Sequence, residues 1–242
     1  MRAIITFHSI DPGQSPLSYP AGMLARLLAA LERCAVPILD LDTLLQPATA
    51  RGVALTFDDG MRSVFTAALP VLRDHAVPAH LFLTTNAVGG TNRWPGQPAS
   101  APTFEMLRWP EVEALHRCGI HIEAHTASHP DLRRLPDTAV AEECERADEV
   151  IEHRLGRRPR YFAYPYGHND ARVRAIAGAR YRACLTTEMR MLRGNGGEAA
   201  SALPRLDSHY LRSGWVLRDP AGIPGRAYLA LRAVLRRVGG QR

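Results

Sequence analysis

Apolar residues along the chain gather in short runs, separated by longer stretches in which they recur every three or four positions. The short runs, Ala3–Phe7, Val53–Phe57, Ala79–Thr84, Ile120–Ala124, Tyr161–Tyr164 and Ala183–Thr186, have the length of buried strands. The longer stretches, Pro20–Arg33, Arg62–His75, Pro110–Cys118, Pro136–Leu155 and Asp170–Gly178, read as helices. Pro20, Pro110 and Pro136 open three of them, where a missing backbone N–H costs nothing. This strand-then-helix rhythm predicts a parallel sheet covered by helices, either open or closed into a barrel. No internal repeat or low-complexity block interrupts it.

Two segments break the rhythm. Val88–Thr103 is rich in Gly, Pro, Asn and Ser and carries Trp94. A loop of that length in a compact domain is usually functional or mobile. Arg193–Ala202 is Gly-rich and reads as flexible. Neither divides the chain, so a single catalytic domain is expected over 1–242, with a basic segment at 224–242.

Composition narrows the class. The chain has 242 residues, 46% hydrophobic and 22% charged, which excludes extended disorder and a membrane-spanning bundle. Cys34, Cys118, Cys144 and Cys184 form no CxxC pair, so neither a zinc cluster nor a disulfide framework is expected, and a reducing compartment suits them. The apolar run at the N-terminus is cut by His8 and Ser9 and is too short for a secretory signal, which predicts a cytoplasmic location. The net charge of +6 comes with basic residues spread along the chain and a local concentration after Arg226, where Arg232, Arg236, Arg237 and Arg242 alternate with Leu229, Leu231, Val234, Leu235 and Val238. Two readings stay open: a terminal helix with its arginines in water, or a basic amphipathic segment in peripheral contact with the inner membrane face. Nucleic acid is not expected as a partner, because no stacking aromatics accompany the basic residues.

In parallel α/β folds, catalytic groups lie just beyond the carboxyl ends of strands. Three such places carry chemistry. Thr56-Phe57-Asp58-Asp59-Gly60 sets two carboxylates at a strand end, one to face a metal and the other to reach a water beside it. Taken alone, Asp-Asp-Gly also fits a simple turn that caps a helix. His125-Thr126-Ala127-Ser128-His129 follows another strand, and its imidazoles converge on one ion if the segment makes a helical turn. One carboxylate and two imidazoles leave a coordination position open, as catalytic metal sites require. Phe162-Ala163-Tyr164-Pro165-Tyr166-Gly167 is a strand entering a rigid turn, able to aim the Tyr166 N–H at an oxyanion.

In this order, TFDDG, HTASH and FAYPYG resemble the polysaccharide deacetylases with the NodB homology domain, carbohydrate esterase family four. The resemblance covers roughly Ala3 to His209. It implies a distorted (β/α)7 barrel and a divalent ion, most often zinc. It also implies Asp58 as general base, Asp59, His125 and His129 as metal ligands, and the Tyr166 amide as oxyanion donor. The activity implied is removal of N-acetyl groups from amino sugars of a polysaccharide or oligosaccharide.

The chain departs from the family pattern in two places. No late Leu-x-His motif supplies the acid that protonates the leaving amine; His209 is the candidate, with His8 and His168 behind it. Phe162 or Ala163 stands where many members carry an arginine that orients the base, a task that Arg205 can take over. Trp94 is a candidate to stack on a sugar, and His8, at the end of the first strand, faces the same mouth. Glu123 is a candidate acceptor behind a ligand imidazole. Two other functions remain: hydrolysis of a small or lipid-linked N-acyl or N-formyl compound, and a catalytically silent sugar-binding component.

Overall fold

The computed structural model describes residues 1–97, 100–193 and 197–238. Pro98 and Ala99 of the first loop, 194–196 of the second, and 239–242 of the basic segment, with Arg242, lie outside the described residues; so do the side chains of Arg237 and Val238.

Seven strands form one parallel sheet: β1 (Arg2–Phe7), β2 (Gly52–Phe57), β3 (His80–Leu83), β4 (His121–Ala124), β5 (Tyr161–Ala163), β6 (Ala183–Leu185) and β7 (Leu206–Asp207). Their order is β6-β5-β4-β3-β2-β1-β7. The helices are α1 (Ala21–Arg33), α2 (Leu41–Leu44), α3 (Leu69–Asp74), α4 (Trp109–Arg117), α5 (Asp137–Leu155), α6 (Ala171–Arg180), α7 (Gly214–Arg218) and α8 (Ile223–Val238). The sheet curls into an open, distorted (β/α)7 barrel. Across the gap between β6 and β7 the pairing shrinks to one bridge, Leu185 to Leu203, where Leu203 N donates to Cys184 O and Thr186 N to Leu203 O, each at 2.8 Å.

Each predicted strand forms close to its expected bounds. The unpredicted β7 has only two residues, too few to show a period, and exists because Leu206 and Asp207 pair with Ile5 and Thr6 of β1. Alternation along the strands separates two apolar layers. Ile5, Phe7, Leu55 and Phe57 face outward onto Leu24, Leu27, Leu28 and Leu31 of α1. Ile4, Ala54, Phe82, Tyr161 and Leu185 point inward and fill the barrel. Burial of each such leucine or phenylalanine contributes about 1.5–3 kcal/mol.

The predicted helix Arg62–His75 is interrupted. It starts as a π-type turn over Val64–Ala68 and becomes α-helical only from Leu69. Pro70 explains this, since it has no N–H to give the preceding turn and its ring crowds the carbonyl four residues back. α5 ends as its sequence suggests, at Gly156 with φ of 71°.

Phe82→Ala removes the ring that fills the barrel beneath the catalytic mouth. It is expected to cost about 3–5 kcal/mol of folding free energy, read as a lower urea midpoint at unchanged slope.

Candidate metal centre

Asp58 continues the β1–β2 ladder, its N–H donating to Phe7 O at 2.9 Å. The chain then reverses at Asp59, where φ is 74° and Gly60 N donates to Asp58 O at 2.9 Å. That is the strained, positive-φ form of a γ-turn. This turn, rather than the alternation of an extended chain, separates the two carboxylates. Asp59 O accepts from Thr84 N at 3.2 Å, which ties the turn to the end of β3.

The two histidines also converge by a route other than the helical turn expected. Thr126 and His129 have φ of 65° and 59°, and His129 N donates to Thr126 Oγ1 at 3.0 Å. Glu143 of α5 braces the loop from behind: its backbone O accepts from Ala127 N, and its carboxylate accepts from Ser128 N at 2.8 Å and Ser128 Oγ at 2.9 Å. Sequence reasoning missed Glu143. Its signal was a glutamate on the apolar face of α5, next to Cys144 and between Val140 and Ala147.

Asp59 Oδ1 lies 3.3 Å from His125 Nε2 and 3.4 Å from His129 Nε2. All three side chains are buried, and their ligand atoms lie within 4.8 Å of one another. His125 Nδ1 is 2.7 Å from Ala163 O, and a carbonyl can only accept, so Nδ1 carries the proton. Nε2 of the neutral ring therefore turns a lone pair toward a carboxylate. Only a proton or a cation between them resolves that opposition, so the residues fit a divalent ion. On the protein contacts alone a proton fills the role. Burial disfavours the charged form of His125, but Asp59 and Asp58 outweigh it and raise its pKa. Burial prevails at His129, whose pKa is lowered. Asp59 is driven well below the ordinary carboxylate range, its two imidazoles overcoming burial. Glu123 stands apart: it accepts from Arg160 N and Tyr161 N and pairs with Arg157, while Ala163 O takes the place behind His125.

Arg205 sits in the gap of the barrel and meets Asp58 through two parallel hydrogen bonds, Nη1 to Oδ1 and Nη2 to Oδ2, each 2.7 Å. Its Nε donates to Thr186 O at 2.9 Å, and Nη1 also approaches Thr56 Oγ1 at 3.3 Å. Arginine and carboxylate are both buried. Burial pushes the Asp58 pKa up, the guanidinium pulls it down further, and the balance lies below the ordinary value.

Pro165–Gly167 forms a tight turn in which Tyr166 has φ of 59° and ψ of 3°. The turn is closed by Gly167 N to Tyr164 O and His168 N to Pro165 O, neither of which uses the Tyr166 N–H. The Tyr166 ring meets His129 edge-on at 4.5 Å, and Trp94 Nε1 donates to Tyr166 Oη at 3.1 Å. The Trp94 ring lies 4.1 Å from that of His129, so the loop after β3 reaches the centre. His8 comes one step beyond the last β1–β2 register pair, Phe7 and Phe57, beside Asp58. His209 follows β7 in a short turn, its N–H bound to Asp207 Oδ1 at 2.9 Å and its ring against Tyr210. His168 pairs with Asp131 at 3.2 Å.

Fold and site together define a class: a parallel α/β barrel with a carboxylate–histidine metal centre at the carboxyl ends of its strands. The polysaccharide deacetylase family model matches residues 46–181, more than half of the chain, and the chain belongs to that family. Poly-beta-1,6-N-acetyl-D-glucosamine N-deacetylase of Staphylococcus epidermidis is 24% identical over 136 residues, covering 52% of this chain and 44% of that protein. Chitin deacetylase 1 of Cryptococcus neoformans is 34% identical over 124 residues, covering 51% and 23%. The chain thus spans less than half the length of these curated relatives. Among solved structures, IcaB from Ammonifex degensii superposes with a TM-score of 0.74 at 22% identity over 94% of this chain and 96% of that one, a likeness of fold.

Two outcomes follow from this geometry. Zinc at a hundred times its Kd is expected to stabilise the fold by about 2.7 kcal/mol and to release protons, because the ligands must be deprotonated to bind it. Calorimetry in buffers of different ionisation enthalpy reads both, and His125→Ala abolishes both. Arg205→Met strands the Asp58 charge and is expected to cost about 3–5 kcal/mol, much of it recovered in the double variant with Asp58→Asn. The lowered Asp58 pKa fixes the sign with pH. Stability from this pair is present above the unfolded-chain value of about 4 and is lost as pH falls through the lower folded value.

Proposed function

We propose that the chain is a metal-dependent hydrolase that removes N-acetyl groups from amino sugars of a polysaccharide or oligosaccharide, with zinc as its metal. The observation that carries this reading is a buried, arginine-held carboxylate, Asp58, adjoining the Asp59–His125–His129 set. One oxygen and two nitrogen ligands suit zinc. Such an ion, when bound, polarises an amide carbonyl and makes water acidic enough to attack at neutral pH.

The protein's own groups do the rest. Asp58 is ionised at neutral pH, and Arg205 occupies one lone pair on each of its oxygens, leaving others to accept the proton of the attacking water. Arg205 also holds the carboxylate plane still, so the base meets water in one orientation. The Tyr166 N–H is offered to the oxygen that gains charge as the carbonyl becomes tetrahedral. His8 and His209 stand at the mouth ends of neighbouring strands, and His8 is the one that follows the Phe7–Phe57 pair directly beside Asp58. Protonation of the leaving amine falls to His8 on this reading. Trp94 covers His129 and offers its remaining surface to a sugar ring. The N-acetylglucosamine polymer and chitin named for the relatives are the natural first substrates to try.

Acetate release from N-acetylglucosamine oligomers by zinc-loaded protein tests the reading. Release abolished by Asp58→Asn is expected; absence of release with zinc bound sinks it and moves the weight to a small or lipid-linked N-acyl substrate. His8→Ala is expected to lose about 10²–10⁴ in kcat, and His209→Ala less than about tenfold. The reverse ranking hands the acid role to His209.

A further inference from the structure

α8 buries one side and exposes the wrong one. Leu229 and Ala233 join the core, and Gly225 packs so tightly that an added Cβ would meet Asp219 O at 2.7 Å. The outward side of a surface helix is ordinarily polar. Here it carries Ile223, Leu231, Val234 and Leu235, exposed by 83%, 56%, 55% and 50%, with exposed Ala227 and Ala230 between them. Helical spacing sets 223, 227, 230, 231 and 234 along one stripe. Arginines flank the stripe: Arg232 lies over the Tyr210 ring at 4.7 Å, Arg236 reaches Asp207 at 3.4 Å, and Arg226 makes no ion pair among the described residues. Trp215, 49% exposed, meets Tyr228 of α8 edge-on at 5.1 Å. On the same flank, Ile223, Arg226 and Ala230 also line a cavity of about 480 Å³ that runs in to Met191 and Leu206. No helix among the described residues is long and apolar enough to cross a membrane.

We infer that α8, with Trp215 beside it, is an interfacial helix that seats the chain on an anionic lipid surface. Charge decides between lipid and a second copy of the chain. Asp219 is the last acidic residue of the sequence, so α8 carries no carboxylate. A symmetric pairing of two copies through this stripe would set arginines against arginines. Anionic headgroups supply the missing negative charge, the acyl region takes the apolar stripe, and Trp and Tyr suit the boundary between them. Ile223 and Arg226 share a cavity with Met191, whose neighbour Leu192 donates its N–H to Arg2 O at the start of β1, and Arg236 meets Asp207, at the end of β7. α8 therefore runs alongside the strands, and a helix lying in the interface lays the barrel axis along the membrane, with its mouth opening parallel to the surface.

This inference stands independently of the deacetylase reading, and its test measures no turnover. The full chain is floated with vesicles of phosphatidylcholine alone and of equal parts phosphatidylcholine and phosphatidylglycerol. Binding only to the anionic vesicles is expected, weakened by salt. Leu231→Asp with Val234→Asp is expected to lower binding at least about tenfold, and Arg226→Gln severalfold. Both aspartates enter exposed positions, and a thermal melt checks the fold of the variant. On the unaltered protein, tryptophan emission is expected to shift to the blue with anionic vesicles, a shift lost in Trp215→Phe. Failure to bind anionic vesicles at low salt overturns the inference, as does undiminished binding by the double aspartate variant. A dimer dissolved by the same substitutions, without vesicle binding, overturns it in favour of a second copy.

Discussion

Arg205, just before β7, stands beside the one gap that the seven strands do not close and ties both of its sides together. Its guanidinium spans from Thr186, at the end of β6, to Asp58, at the end of β2, so the barrel's weakest seam is held by the residue that fixes the Asp58 carboxylate. Two buried charges are costly to desolvate, and the paired geometry with Asp58, supported by the bonds to Thr186 and Thr56, is what makes them tolerable.

Backbone strain is concentrated at the same mouth. Among the described residues six non-glycine positions have positive φ, and four of them, Asp59, Thr126, His129 and Tyr166, surround the metal centre. Each such conformation costs about 1–3 kcal/mol and persists only where neighbours over-determine it. Glu143 supplies that constraint for the histidine loop, Thr84 and Gly60 for the Asp59 turn, and Thr187, whose Oγ1 lies 2.1 Å from where a Cβ on Gly167 would fall, for the tyrosine turn. The strain sets three ligand atoms pointing at one place before anything is bound. Preorganisation of this kind removes reorganisation from the reacting step.

α8 shows the opposite balance, with little strain and much exposed apolar surface. Its stripe is orderly in sequence, and only its orientation makes it unusual. The helix could have turned Leu231 and Val234 inward, yet Leu229 and Ala233 fit the space beside β1 and β7, and Gly225 allows the close approach.

Six strands and the metal-binding residues were legible because each depends on local information. Apolar runs of the right length specify buried strands, and Asp58-Asp59, His125 with His129, and Pro165-Tyr166-Gly167 carry donor types that few other roles require together. Hydrophobic periodicity sufficed for a parallel sheet covered by helices, and motif order for the family and, through it, the distorted barrel. Long-range geometry was not legible. A two-residue strand such as β7 has no period and exists only through its neighbour β1. Pro70 was in plain view, but how the chain absorbs it depends on packing around the π-type turn. The bracing of the histidine loop by Glu143, the choice of Ala163 O over Glu123 behind His125, and the meeting of Arg205 with Asp58, 147 residues away in sequence, are decided by how the sheet curls. Residue types set which bonds are chemically possible; the curvature of the closed chain selects which of them fall within 3 Å.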